Sequence, residues 1–176
     1  MIDYNPRCIS EANHRFALEQ SGERMLFVIG LNPSTADEHK PDATMRSVLR
    51  FVNTCGYDGF VMMNLSSQRS TSPNNMAKEL NEDMHKKNLE EITLLSNKYP
   101  RADILLAFGN NIKCRSYLNS CFLDIYDILS KHCTWLRIGG EKGLTKQGHP
   151  RHPLYAKSQC GFVTFDIESY VNGCRR

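Results

Sequence analysis

Four short segments of the chain combine side-chain amides, imidazoles and glycines, and each follows an apolar run. They are GLNPS at 30–34, NLSSQR at 64–69, FGNN at 108–111 and the late loop GGEKGLTKQGHPRHPLY at 139–155. An amide offers both donors and an acceptor, and an imidazole can donate, accept or transfer a proton near neutral pH. Together these groups predict a site for a polar ligand. Each segment taken singly is also typical of an ordinary turn.

The apolar runs before these segments are typical of buried strands. RMLFVIGL, GFVMMNLSS, ADILLAFG and TWLRIGG are apolar over most of their length, as expected for strands covered on both faces, whereas HRFALEQ alternates only weakly. Helical spacing of apolar residues predicts helices over about 43–56, 77–97 and 116–132. FVTFDIESY adds a last strand or a short helix. The alternation indicates an α/β protein with a mainly parallel sheet of about four strands and helices on both faces.

This architecture would bring the polar segments together. In open α/β sheets, ligands bind outside the carboxyl ends of the strands, where the loops leave the sheet. All four polar segments stand at predicted strand ends. We therefore expect Asn32 and Asn64 to meet one or both of the late histidines, His149 and His152, at one edge of the sheet. At that edge, Gly30 would let the backbone approach a ligand closely.

Length and composition indicate an ordinary globular protein. The 176 residues, 40% hydrophobic and 23% charged, suit one domain over 1–176. No apolar run reaches the roughly 18 residues that a membrane helix needs, so no membrane association is expected. The first 16 residues contain acids and Pro6 and no apolar core segment, which argues against a secretory signal. The cytoplasm is the expected location, and the sequence does not indicate an oligomeric state.

Charge and cysteine usage narrow the class of partner. The segment from Lys131 to Arg176 has eight Lys or Arg against three Asp or Glu, while the whole chain carries a net charge of +3. A basic segment suits a polyanion such as a nucleic acid, although an ordinary solvated face is an open alternative. The cysteines form no C-x-x-C pair, so reduced thiols are expected rather than a disulfide framework. The seven cysteines are at positions 8, 55, 114, 121, 133, 160 and 174.

Several familiar sites have no support in the sequence. There is no G-x-G-x-x-G after the first apolar strand, no P-loop and no G-x-S-x-G elbow. His149 and His152 are three residues apart, but Pro150 and Pro153 break helical geometry and no Cys or carboxylate partner is evident, so no metal and no cofactor are expected. The other histidines expected at the surface are His39, His85 and His132.

The ordered set GLNPS, GFVMMNLSSQR, ILLAFGNN and HPRHPLY resembles the uracil-DNA glycosylase superfamily. GLNPS is most similar to the Asn-type opening motif of the mismatch-specific uracil and thymine glycosylases. The whole-chain pattern, including NPSTAD and HPLY, more closely resembles a family of uncharacterised bacterial and phage proteins known only as a domain of unknown function. The resemblance covers about residues 25–165. It implies a three-layer α/β/α sandwich around a mainly parallel sheet, as in uracil-DNA glycosylases.

The resemblance also implies roles for individual residues. Cleaving an N-glycosidic bond leaves negative charge on the departing base, which the site must stabilise. Asn32 would hold the attacking water or face the sugar, Asn64 would read the Watson–Crick edge of an extruded base, and a late histidine would donate to the base anion. Arg151, Lys146 and Lys157 would contact phosphates. Further candidates for substrate binding are Gly30, Leu31, Pro33, Ser34, Gly109 and Asn110.

Two details of the resemblance leave alternatives open. The family's His-Pro-Ser run could correspond to residues 149–151 or 152–154, so His149 and His152 are both candidates for the site histidine. No aromatic residue directly follows GLNPS to stack on a base. The alternative aromatics lie on predicted helices and strands, where core positions are more usual; they are Phe51, Tyr57, Phe60 and Phe108.

Three functions are therefore open at this level. The first is a DNA N-glycosylase-like enzyme that acts on a flipped or modified base. The second is a non-catalytic module of the same fold that binds nucleic acid or a nucleotide. The third is an enzyme acting on a small nucleoside or nucleotide. DNA is favoured over RNA as the macromolecular partner.

Overall fold

The computed structural model describes residues 3–131 and 134–175, in which we find seven strands and four helices. The strands are β1 (Arg7–Glu11), β2 (His14–Gln20), β3 (Met25–Gly30), β4 (Gly59–Asn64), β5 (Asp103–Leu106), β6 (Trp135–Ile138) and β7 (Phe162–Thr164). The helices are α1 (Ala43–Thr54), α2 (Glu82–Lys98), α3 (Leu118–Leu129) and α4 (Ile167–Cys174). His132 and Cys133 lie outside the described residues. The six described cysteines form no disulfide.

The strands form one mixed sheet in the order β1-β2-β4-β3-β5-β6-β7. The central four, β4, β3, β5 and β6, are parallel and correspond to the four apolar runs. The expectation of a mainly parallel sheet of about four strands is corrected, because β1, β2 and β7 add three antiparallel pairings at the two sides. These strands lack an all-apolar signature: β1 and β7 are largely exposed, and β2 buries the charged Arg15 and Glu19.

Helices cover both faces of the sheet. The buried face of α1 packs with Leu26, Val28 and Leu105 on one side. On the other side, α2, α3 and α4 pack against a cluster that includes Phe27 and Ile29. Strands β3 and β4 are buried over their whole length, because both of their faces are covered.

Capping side chains mark the starts of α2 and α4. The Asn81 Oδ1 accepts from the backbone N–H of Met84 at 3.1 Å, so α2 begins at Glu82, later than the predicted residue 77. The segment FVTFDIESY holds both predicted elements in succession. Strand β7 comes first, and Asp166 then caps α4 by accepting from Ser169 N at 3.0 Å.

The register of the parallel strands aligns their carboxyl ends. Gly30 at the end of β3 lies opposite Asn64 at the end of β4. The Leu65 N–H then donates to Gly30 O at 3.0 Å, which holds the two departing loops side by side. The Gly109 N–H donates to Pro150 O at 2.9 Å and thereby draws the late loop to the same edge. No helix within the described ranges is long and apolar enough to cross a membrane.

Candidate functional site

A cavity of about 180 Å³ opens at the carboxyl ends of β3, β4 and β5. Residues from three of the four polar segments, Asn32, Asn64 and Asn111, line it together with His152 from the late loop. The topology therefore brings together side chains that are more than a hundred residues apart in the chain. Other predicted site residues that line this cavity are Gly30, Leu31 and Ser34.

The Asn64 amide is the most unusual polar group in the cavity. The residue is 0% exposed, and neither Oδ1 nor Nδ2 has a hydrogen-bond partner among the described residues. Its backbone carbonyl is satisfied, since Asn88 Nδ2 donates to it at 3.1 Å. A buried amide without partners costs about 1–3 kcal/mol. A bound ligand with its own donor and acceptor would remove this cost.

Gly30 provides the space that the Asn64 side chain occupies. A Cβ atom at position 30 would lie 2.7 Å from Asn64 Oδ1 and 2.7 Å from Met62 Cε. Any larger residue would therefore displace the amide or the methionine. This gives a steric reason for a glycine at the end of a fully buried strand.

Asn32 is held by its amide nitrogen. Nδ2 donates to Pro33 O at 2.9 Å and to Ser70 O at 2.8 Å, which joins the loops after β3 and β4. Oδ1 makes no hydrogen bond within the part of the chain that the structure describes. The residue thus offers the cavity an acceptor of fixed orientation, while both of its donors serve the fold. Pro33 contributes to this turn and does not line the cavity.

The two late histidines occupy different environments. His152 lines the cavity, and its Nδ1 accepts from Leu154 N at 3.2 Å, so the neutral ring carries its proton on Nε2. His149 is buried away from the cavity, with Nδ1 2.7 Å from the Tyr170 hydroxyl. Burial lowers the pKa of both imidazoles; the Asp42 carboxylate partly opposes this shift in His152, and Lys113 adds to it in His149. Of the two late histidines, only His152 can contact a ligand in the cavity.

A second cavity, of about 390 Å³, adjoins the first. Gly109, Asn110, Lys146 and Arg151 line it. The Arg151 Nε donates a hydrogen bond to Lys142 O, and this contact orients the guanidinium group. Lys157 is exposed and lines neither cavity. The residues that line both cavities are Phe108, Asn111, His152 and Tyr155.

The aromatic candidates divide between the first cavity and the hydrophobic core. Phe108 lines the first cavity, whereas Phe51, Tyr57 and Phe60 are buried in the core between α1 and the sheet. Tyr155 is 72% exposed and lies beside His152, with ring centroids 5.9 Å apart. Sequence reasoning did not single out Tyr155, although it belongs to the HPLY motif and its exposure at a cavity mouth suits stacking on a ring.

The cavity also includes residues that the sequence patterns did not indicate. Arg15 on β2 and Asp42 before α1 both line it, and Asp42 caps that helix by accepting from Met45 N at 2.8 Å. The Asp42 cap could have been read as a helix start, but Arg15 belongs to the weakly alternating run that gave no clear signal. Further lining residues without a prior signal are Thr44, Ser70, Thr71 and Pro73.

Two of the histidines expected at the surface lie in different environments. His39 is exposed, as expected, but the surface prediction is wrong for His85, which is buried with Nε2 2.9 Å from Asp124 Oδ2. Within residues 3–131 and 134–175, no group of three or more His, Cys, Asp or Glu side chains could hold a metal ion.

Comparison with known proteins identifies the family of the chain. Residues 15–154 match the family model described as "Protein of unknown function (DUF1643)", a span that contains the lining of the first cavity except Tyr155. No curated protein and no solved structure matches the chain. The expectation of a family known only as a domain of unknown function is confirmed. Since the match covers well over half of its length, the chain belongs to the DUF1643 family.

Proposed function

We propose that this protein processes a base of nucleic acid, as a DNA N-glycosylase-like enzyme acting on a flipped or modified base. The observation that carries this proposal is the buried, unpartnered amide of Asn64 at a cavity on the carboxyl edge of the sheet. An amide can complement the edge of a nucleobase, because that edge presents neighbouring donors and acceptors. The resemblance to uracil-DNA glycosylases supports the same assignment.

The dimensions and walls of the cavity suit a single ring system. Its volume, about 180 Å³, lies below the roughly 300–1,000 Å³ of pockets for drug-sized ligands. Leu31, Met62 and Phe108 supply apolar surface beside the Asn64 amide. A base extruded from a strand would therefore occupy the part of the cavity beside these apolar side chains and satisfy the Asn64 amide.

The proposed reaction uses two groups of the cavity, His152 and Asn32. Water attacks the anomeric carbon, the bond to the base nitrogen breaks, and the base leaves with the bonding electron pair. His152 Nε2–H would donate to the developing negative charge on the base, and Asn32 Oδ1 would accept a hydrogen bond from the water. The proton released by water ends on the solvent or the departing base. Lys146 and Arg151 in the second cavity would contact neighbouring phosphates.

Base release from defined oligonucleotides tests this proposal. Single-stranded and duplex DNA carrying uracil, a mismatched base or a modified base would be incubated with the protein, and free base measured by mass spectrometry. Asn64→Asp replaces a donor by an acceptor at nearly constant shape, so we expect release to fall at least about tenfold. Asn97→Asp, an exposed position on α2, is the matched control and should retain activity. Absence of release from every substrate would overturn the enzymatic proposal.

One observation favours a second candidate, a binding module without catalysis. Both Asn32 donors are engaged by backbone carbonyls, and an amide cannot take a proton from water as a carboxylate can. A pure binder would retain the oligonucleotide in a salt-sensitive complex and yield no free base. Measuring binding and release on the same samples distinguishes the two candidates.

A further inference from the structure

Arg15 is a buried guanidinium with incomplete hydrogen bonding. It is 2% exposed and lines the first cavity. Nη1 donates to Ala36 O at 2.9 Å, but Nε has no partner among the described residues. Burying a charged group without a compensating partner is expensive. A ligand that supplies acceptors would therefore be stabilised here.

A second guanidinium stands beside the first. Arg69 Nη1 donates to Ser34 O at 3.0 Å and to the same Ala36 O at 3.1 Å, so two cations converge on one carbonyl. Neither arginine forms an ion pair with a carboxylate within residues 3–131 and 134–175. Burial, together with the charge of Arg69, lowers the pKa of Arg15 to about 10. The charge at this wall is uncompensated by direct contact with an acid.

Hydroxyl groups line the same cavity as Arg15. Ser34, Thr44 and Thr71 line the cavity with Arg15, and their hydroxyls can donate to an anion. Asp42 also lines it, but its carboxylate accepts from the backbone N–H groups of Met45 at 2.8 Å and Ala36 at 3.3 Å. Its oxygens are therefore held by the backbone, and its charge acts on Arg15 through space, where it partly opposes the lowering of the Arg15 pKa.

We propose that the wall formed by Arg15, Ser34, Thr44 and Thr71 is a phosphate subsite for the same ligand whose base contacts Asn64. The planar fork of an arginine matches the oxygens of a phosphate, and such charge-assisted hydrogen bonds are stronger than neutral ones. This inference rests on the proposed function for the identity of the base. The subsite is separate from Lys146 and Arg151, which line the second cavity. A free nucleotide and a strand of DNA both carry the phosphate that it would bind.

Paired ligands with and without phosphate test the subsite. Calorimetry would compare the four deoxynucleosides, their 5′- and 3′-monophosphates, inorganic phosphate and short single-stranded oligonucleotides. At least one monophosphate should bind about tenfold more tightly than its nucleoside. Arg15→Gln should remove this advantage, whereas Arg101→Gln, at an exposed position before β5 and outside both cavities, should retain it. Tighter binding of the oligonucleotide than of the monophosphate identifies a strand as the source of the phosphate, and the reverse identifies a free nucleotide.

A milder variant keeps the test valid if Arg15→Gln does not fold. Thr44→Val and Thr71→Val leave both guanidinium groups and their contacts with Ala36 in place, and each should reduce the phosphate advantage several-fold. Equal binding of every nucleoside and its monophosphates would overturn the subsite and leave the proposed function standing. Binding of inorganic phosphate without binding of any nucleoside or oligonucleotide would support the subsite and overturn the base pocket.

Discussion

At the level of single residues, the site depends on two residues that lie side by side on neighbouring strands. Gly30 and Asn64 are opposite each other in the register of β3 and β4, and the missing side chain of one makes room for the amide of the other. Protein interiors rarely leave both ends of an amide unsatisfied. The pair therefore keeps a polar group in an unfavourable state that a ligand can relieve.

Replacing Gly30 by Ala tests this pair directly. The new Cβ would lie 2.7 Å from both Asn64 Oδ1 and Met62 Cε, so one of these side chains must move. Overpacking of this kind costs about 1–3 kcal/mol, which urea unfolding would measure. Nucleoside binding should fall by more than the loss of folded protein accounts for, because the amide is displaced even in the molecules that remain folded. Gly173→Ala on α4 is the control, since nothing lies within 4 Å of a Cβ there. Unchanged stability and binding in Gly30→Ala would contradict this account.

The sequence reveals some of these residues and hides others for physical reasons. Asn64 could be predicted because it ends an all-apolar strand, where a polar side chain stands out. His149 and His152 could not be told apart from the sequence, because their environments depend on whether the loop turns towards α4 or towards the strand ends. Arg15 could not be predicted, because burial of a charged side chain on β2 arises from tertiary packing alone.

At the level of elements, the late loop is attached to α4 and to the sheet edge. His149 is 9% exposed and contacts the Tyr170 hydroxyl on α4 at 2.7 Å, while Pro150 O accepts from Gly109 N at 2.9 Å. Two residues further on, His152 enters the cavity. The buried His149 thus positions the segment that carries the site histidine.

This attachment predicts a loss of stability in acid. Burial lowers the pKa of His149, so the unfolded chain binds a proton near pH 6.5 that the folded protein does not. The free energy of unfolding should therefore have its full value above that pH. It should decrease as the pH drops below it, by at most about 1.4 kcal/mol per pH unit for this group. Urea unfolding at pH 7.5 and 5.5 would measure the change.

The His149→Phe variant isolates the contribution of this imidazole. It keeps a ring against Tyr170, and its free energy of unfolding should decrease less between pH 7.5 and pH 5.5 than that of the wild type. Burial also lowers the pKa of His14 and His152, so part of the dependence should persist. His39→Phe at an exposed position controls for the aromatic replacement. An unchanged pH dependence in His149→Phe would rule out the attachment as its source.

The sequence predicts the buried strands more clearly than the exposed ones. Strands β3 to β6 are apolar almost throughout because helices cover both of their faces, and this leaves a clear signal in the sequence. Strands β1 and β7 are largely exposed, so their pairing depends on the neighbouring strand rather than on their own composition. The mixed character of the sheet follows from these less visible strands.

At the level of the whole molecule, the fold redistributes the charge of the basic carboxyl-terminal segment. Lys131 follows α3 and precedes β6, which places it towards the amino ends of the parallel strands. Lys146 lies in the loop after β6, at the carboxyl ends, and lines the second cavity. A count of charges along the sequence treats these two lysines alike, but only the second adjoins the candidate site.

The salt dependence of DNA binding separates the two lysines. If single-stranded DNA crosses the second cavity, Lys146→Gln removes one phosphate contact and should lower the slope of log K against log salt by about 0.7. The loss of affinity should be similar for all sequences, because a phosphate contact carries no base information. Lys131→Gln removes the same charge from the opposite edge and should leave the slope unchanged. Equal effects of the two substitutions would mean that binding follows net charge alone, and the path of the strand across the second cavity would have to be abandoned.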